Sequence, residues 1–135
     1  MGTLDKLLHV AKLELDRRRH QIGELHAMRS DLEARSVDID RRIEAERQAS
    51  LDDPLVGASV GTFINAGKQQ QQVLQASMAE VDEQIEAMRD VVAEAFREMK
   101  RYEQLIDRKA QEARRRRDRR EQLQMDEIGL RRSNF

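Results

Sequence analysis

The run Arg114-Arg115-Arg116-Arg117-Asp118-Arg119-Arg120 carries the sharpest chemical potential in this 135-residue chain. Four consecutive arginines cover the full circumference of a helix, which is more positive charge than an amphipathic surface requires. The planar guanidinium fork suits carboxylates and phosphates, so the tract could dock on an acidic protein surface or neutralise a nucleic-acid backbone. Nucleic acid fits less well. A basic zipper places its basic region ahead of a parallel coiled coil, and no aromatic side chains lie among these arginines to stack on bases. The plainer role is a solvated helix end that complements the negative pole of the helix macrodipole.

The remaining polar groups point away from catalysis. His9, His20 and His26 form no ligand arrangement, and the chain has no Cys, so no metal site is expected. Asp82, Glu86, Asp90, Glu94 and Glu98 recur every four residues and make an acidic ridge along a helix. That ridge is a solvated face or a docking strip for a basic partner. No phosphate-binding loop, nucleophile motif or dinucleotide fingerprint is present. The expectation is a non-enzyme without cofactor, catalytic residue or small-molecule substrate.

Composition narrows the elements that could carry these groups. Charged residues make up 38% and aromatics 3%, with one Pro and no Trp, too little for a thick globular core but enough for a two-helix seam. The absence of Cys fits a reducing compartment, and no stretch of 18 apolar residues is available to span a membrane. MGTLDKLLHV lacks the basic-then-apolar order of a secretion signal. A cytoplasmic protein is expected. Charge is unevenly spread. Residues 1–50 carry 10 basic and 10 acidic side chains, residues 51–107 carry 5 and 11, and residues 108–135 carry 10 and 5. The C-terminal segment, at +5, is a separate electrostatic object from the −6 segment before it.

Strict 4-3 spacing of apolar residues runs through Leu74, Met78, Val81, Ile85, Met88, Val92, Ala95, Met99, Tyr102 and Ile106. A repeat averaging 3.5 residues demands a helix that buries one narrow seam against another helix. A weaker lattice runs from Leu4 through Leu8, Ala11 and Leu15 to Ile43, Glu46 and Ser50, with nine of its fourteen members apolar. Between them, SLDDPLVGAS holds the only Pro, and Asp53-Pro54 is itself a helix-start signal. These features predict an all-α, two-helix antiparallel coiled-coil hairpin with a longer C-terminal helix. One unit is expected over residues 1–135, with a helix at 3–49, a turn at 50–58 and a helix at 59–128. Thr3 is the expected N-cap, Gly129 the expected stop, and residues 108–128 a basic overhang. The Gln-rich run at 68–72 reads as helix surface in register with the lattice, which extends back through Gln71, Gly67 and Ile64 to Val60 and sets Gln71 opposite Ile39.

The two lattices agree with each other. Pairing Ser50 with Val60 makes the residue numbers in every layer sum to 110, so that Leu32 meets Met78, Leu25 meets Ile85 and Leu4 meets Ile106. The apolar run of the second helix ends where the first helix begins. A parallel homodimer has no reason to obey this rule. Paired arms of about 47 residues would extend about 70 Å. Arg18 and Arg29 fall opposite Val92 and Val81 and are expected to snorkel out of the seam or fix its register.

Three local features add a family likeness. Phe63-Ile64-Asn65 precedes the Gln-rich stretch, the Arg run follows the seam, and Gln122, Asp126-Glu127 and Arg131-Arg132 close the chain. On these residues the chain resembles the FliJ family of flagellar type III export proteins, to which the YscO-type proteins of injectisomes are related. The resemblance implies a non-enzymatic stalk similar in shape to the γ-type coiled coil of ATP synthases. Such a stalk sits in the pore of the hexameric export ATPase, links it to the transmembrane export gate, and helps handle export chaperones. It implies a place in the cytoplasm at the flagellar base, touching the membrane only through the export apparatus. By position, Arg114, Arg115, Arg116, Arg117, Arg119, Arg120 and Leu123 would face the ATPase, and Phe63 and Ile64 the gate. The other readings are a coiled-coil adaptor of another complex and a nucleic-acid-binding coiled coil acting through the Arg-rich tail.

Overall fold

In the computed structural model, residues 2–53, 55 and 57–133 are described. Among them the chain forms two helices, α1 (Thr3–Asp52) and α2 (Gly57–Ser133). Both run past the expected ends at 49 and 128, and the connection is shorter than the expected 50–58. At the far end the reason is Gly129, which keeps a negative φ. It therefore forms no left-handed C-cap, and the good helix formers Leu130, Arg131 and Arg132 carry the helix on. Within the connection, the Asp53 carboxylate accepts a hydrogen bond from Leu55 N–H at 3.0 Å. The Asp53-Pro54 start signal depends on Pro54, which lies outside the described residues.

The N-cap is also one residue earlier than expected. Gly2 C=O accepts the first helical bond, from Lys6 N–H at 3.3 Å, and Gly2 N–H donates to the Asp5 carboxylate at 3.2 Å. An acidic side chain three residues in, reaching back to the cap N–H, is half of a capping box. Thr3 is the first helical residue instead.

Two compact units are present, one formed by residues 1–16 with 94–135, the other by residues 17–93. In the 17–93 unit the partners of α1 descend along α2. Arg29 reaches Met78 and Asp82, Ser36 bonds Gln71, and Gly67 packs on Ile43. That order makes the pair antiparallel. Ile43 and Gly67 are one of the layers that sum to 110. Its core is Ile43, Val60, Val81 and Ile85, each worth about 1.5–3 kcal/mol when removed from water. In the other unit Ala11, Leu15 and Met99 are buried, and Leu4 and Ile106, a further pair summing to 110, line one cleft.

Every one of the fourteen α1 lattice positions and their fourteen α2 counterparts from Val60 to Ile106 is buried or half-buried. The polar members are accommodated rather than excluded. Arg29 sends its guanidinium to the charged flank, with Nε donating to Asp82 at 2.9 Å and Nη1 lying 3.4 Å from the Glu33 carboxylate, which is the snorkelling that its position demanded. Gln71, alone of the Gln-rich run, belongs to the seam, at the position that the sum of 110 pairs with Ile39. Its amide donates to Ser36 C=O at 2.6 Å and to Asp40 at 3.0 Å, while the Ser36 hydroxyl donates to its carbonyl at 2.6 Å. A satisfied polar layer of this kind penalises register slips, because a shift would strand its donors. Outside the seam, Asp31–Arg35 at 2.9 Å and Asp38–Arg42 at 3.0 Å are exposed i,i+4 pairs, each worth only a few tenths of a kcal/mol, about 0.3–0.5.

Candidate functional site: an unpaired basic helix

Beyond Ile106 every residue of α2 to Ser133 is exposed. The seam lattice itself explains the change, since Lys109, Ala113, Arg116 and Arg120 occupy the next core positions and offer no apolar knob. The helix persists because Arg, Glu, Gln and Leu all favour it. A Glu112–Arg116 contact at 3.8 Å adds little. Arg114, Arg115, Arg117, Arg119 and Arg120 form no ion pair among the described residues. All six expected ATPase-facing arginines thus stand on one exposed helix, five of them with no ion pair among the described residues, which is the state in which an acidic partner gains most from them.

Leu123 stands on the same helix at 65% exposure, and three further apolar residues accompany it: Met125, Ile128 and Leu130. The sequence reading singled out Leu123 alone. Continuing the 4-3 lattice would have found Leu130, seven residues on, as its neighbour on one face. Leu123 and Leu130 share one face, and Met125 and Ile128 lie on the other side of the helix.

Phe63 and Ile64 do not share a surface. Phe63 is 41% exposed, whereas Ile64 is a half-buried seam member. Of the two, only Phe63 offers its ring to a partner, because adjacent helix positions are about 100° apart.

His20 Nε2 lies 2.9 Å from the Glu24 carboxylate, four residues on, a pair that the sequence reading missed. Both groups are largely exposed, and among the described residues no group of three or more His, Cys, Asp or Glu side chains converges. Among them, no helix is long and apolar enough to cross a membrane.

The family model described as "Flagellar FliJ protein" matches residues 1–134. Two curated relatives, each named Flagellar FliJ protein and drawn from two strains of Caulobacter vibrioides (NA1000 / CB15N and ATCC 19089 / CIP 103742 / CB 15), are 24% identical over 127 residues. The alignments cover 94% of this chain and 91% of each relative. No solved structure matches the chain significantly.

Proposed function

The chain belongs to the FliJ family of flagellar export proteins, and from that premise we propose that it is the stalk of the export apparatus, entering the hexameric export ATPase through its basic tail. One observation carries the reading: α2 outruns its partner by the 27 residues from 107 to 133, all exposed and rich in unpaired arginine. A helix end free of its partner can enter a narrow opening, and the paired part of its own unit is only two helices across, about 20 Å. Arginine is the side chain suited to acidic loops lining such an opening. Leu123 adds an apolar contact beside the charge. The transmembrane export gate is the second partner, with Phe63 as the anchor on the 17–93 unit, and export chaperones a third. The protein works without catalysis, in the cytoplasm and peripheral to the inner membrane at the flagellar base.

The test is capture of the tagged full-length protein from its native lysate, with and without nuclease, read by mass spectrometry. Recovery of the export ATPase and a gate protein, indifferent to nuclease, supports the stalk. Recovery of nuclease-sensitive nucleoproteins instead would overturn it and assign the arginines to nucleic acid.

A further inference from the structure

The two flanks of the seam in the 17–93 unit differ in kind. Glu33 and Asp82, each one position after a seam residue, gather round the Arg29 guanidinium and close one flank with charge. Positions that precede seam residues make the other flank, and there the pair is open. A groove of about 420 Å³ runs between the helices with Leu25, Met28, Ala87, Met88 and Val91 as its apolar floor. Met28 is 52% and Val91 39% exposed. Met side chains are soft and adapt to an incoming surface. A groove of this form takes the apolar stripe of an amphipathic helix.

Its rim is acidic. Glu24 lines it directly, already paired with His20. Spacing along α2 puts Glu80, Glu83 and Asp90 on the face of Ala87, all exposed and without an ion pair among the described residues. The occupant must therefore be a helix with an apolar stripe and basic flanks.

This chain carries such a helix. Leu123 and Leu130 share one face of the tail with Arg116 and Arg120 above them, Arg119 at their side and Glu127 between them, all exposed and with no apolar partner. The tail is positive and the segment that bears the rim is negative, +5 against −6. Since α2 is unbroken from Gly57 to Ser133, it cannot double back on itself. We propose that the groove at Met28 and Val91 receives the basic tail of a second copy of this chain, so that free protein shields its own tail by self-association. Groove and tail are different surfaces, so the contact is heterologous and grows with concentration. The proposal does not rest on the stalk reading, and its test contains no ATPase.

Sedimentation equilibrium of the full-length chain reads it. Glu83→Arg with Asp90→Arg reverses the rim, and Arg119→Glu with Arg120→Glu reverses the tail. All four positions are exposed, and circular dichroism verifies that each variant stays helical. Wild type is expected to rise above monomer mass with concentration and to fall back when salt goes from about 0.05 to about 0.5 M. Each variant alone should associate at least tenfold more weakly. An equimolar mixture should recover a one-to-one complex, because the intact tail of the rim variant meets the intact groove of the tail variant. A wild type that stays monomeric throughout would overturn the proposal and leave the groove to a foreign basic helix. Self-association indifferent to both variants, or a mixture that recovers nothing, would overturn it too.

Discussion

A Cβ placed on Gly67 would lie 2.8 Å from Cδ1 and 3.0 Å from Cγ1 of Ile43. The absence of a side chain at this seam position lets α1 and α2 approach closely there. Ile43 is only 9% exposed, and its β-branch restricts the rotamers by which it could retreat.

Gly67→Ala should therefore destabilise the protein although alanine is the better helix former. Overpacking costs about 1–3 kcal/mol and helix propensity returns about 1 kcal/mol, so a net loss of up to about 2 kcal/mol is expected in a urea titration. Gly23→Ala and Gly61→Ala, where nothing lies within 4 Å and no φ is positive, should instead gain up to about 1 kcal/mol. Equal gains at all three sites would contradict the close approach.

Ile85 is 5% exposed, in the layer expected to face Leu25. Ile85→Ala should cost about 2–5 kcal/mol, the range for truncating a buried aliphatic side chain. A loss under about 0.5 kcal/mol by chemical denaturation would remove Ile85 from the core.

Arg29 and Asp82, 30% and 55% exposed, are close enough to couple but too wet to couple strongly. A double-mutant cycle with Arg29→Ala and Asp82→Ala should give about 0.2–1 kcal/mol, shrinking as salt rises. A coupling of several kcal/mol that ignored salt would mean that the pair is dry.

Much of the hairpin was legible because seam burial imposes a period. Leu4 through Ser50 and Val60 through Ile106 repeat every 3.5 residues on average, and two such lattices pair in few ways, so the sum of 110 anticipated the meeting of Gly67 with Ile43. The family likeness was legible from the arginine run and the closing Gln, Asp-Glu and Arg residues. Flank chemistry was not. Met28, Gln84 and Val91 each sit one position before a seam residue, outside the apolar lattice, and nothing in that placement announces a groove. The lattice placed Gln71 in the seam opposite Ile39, but its hydrogen bonds were not legible. Its place inside depends on Ser36 and Asp40, 35 and 31 residues away. Gly129 looked like a stop, yet a glycine ends a helix only by turning left-handed, and nothing in its neighbours compels that.

The tail is where the proposed function stands or falls. Its charge is exposed, so any contact it makes with an acidic partner must weaken as salt rises. Leu123→Ser should weaken the same contact without steepening that dependence, since the leucine contributes apolar area and no charge. Binding titrated at two salt concentrations separates the two contributions.

The most direct measurement is calorimetric titration of the full-length chain into the purified export ATPase of the same flagellar system, beside a variant carrying Arg115→Glu and Arg117→Glu. The account predicts binding by the wild type and at least tenfold weaker binding by the variant, with helicity unchanged by circular dichroism. Equal affinities, or no binding by either protein, would contradict it.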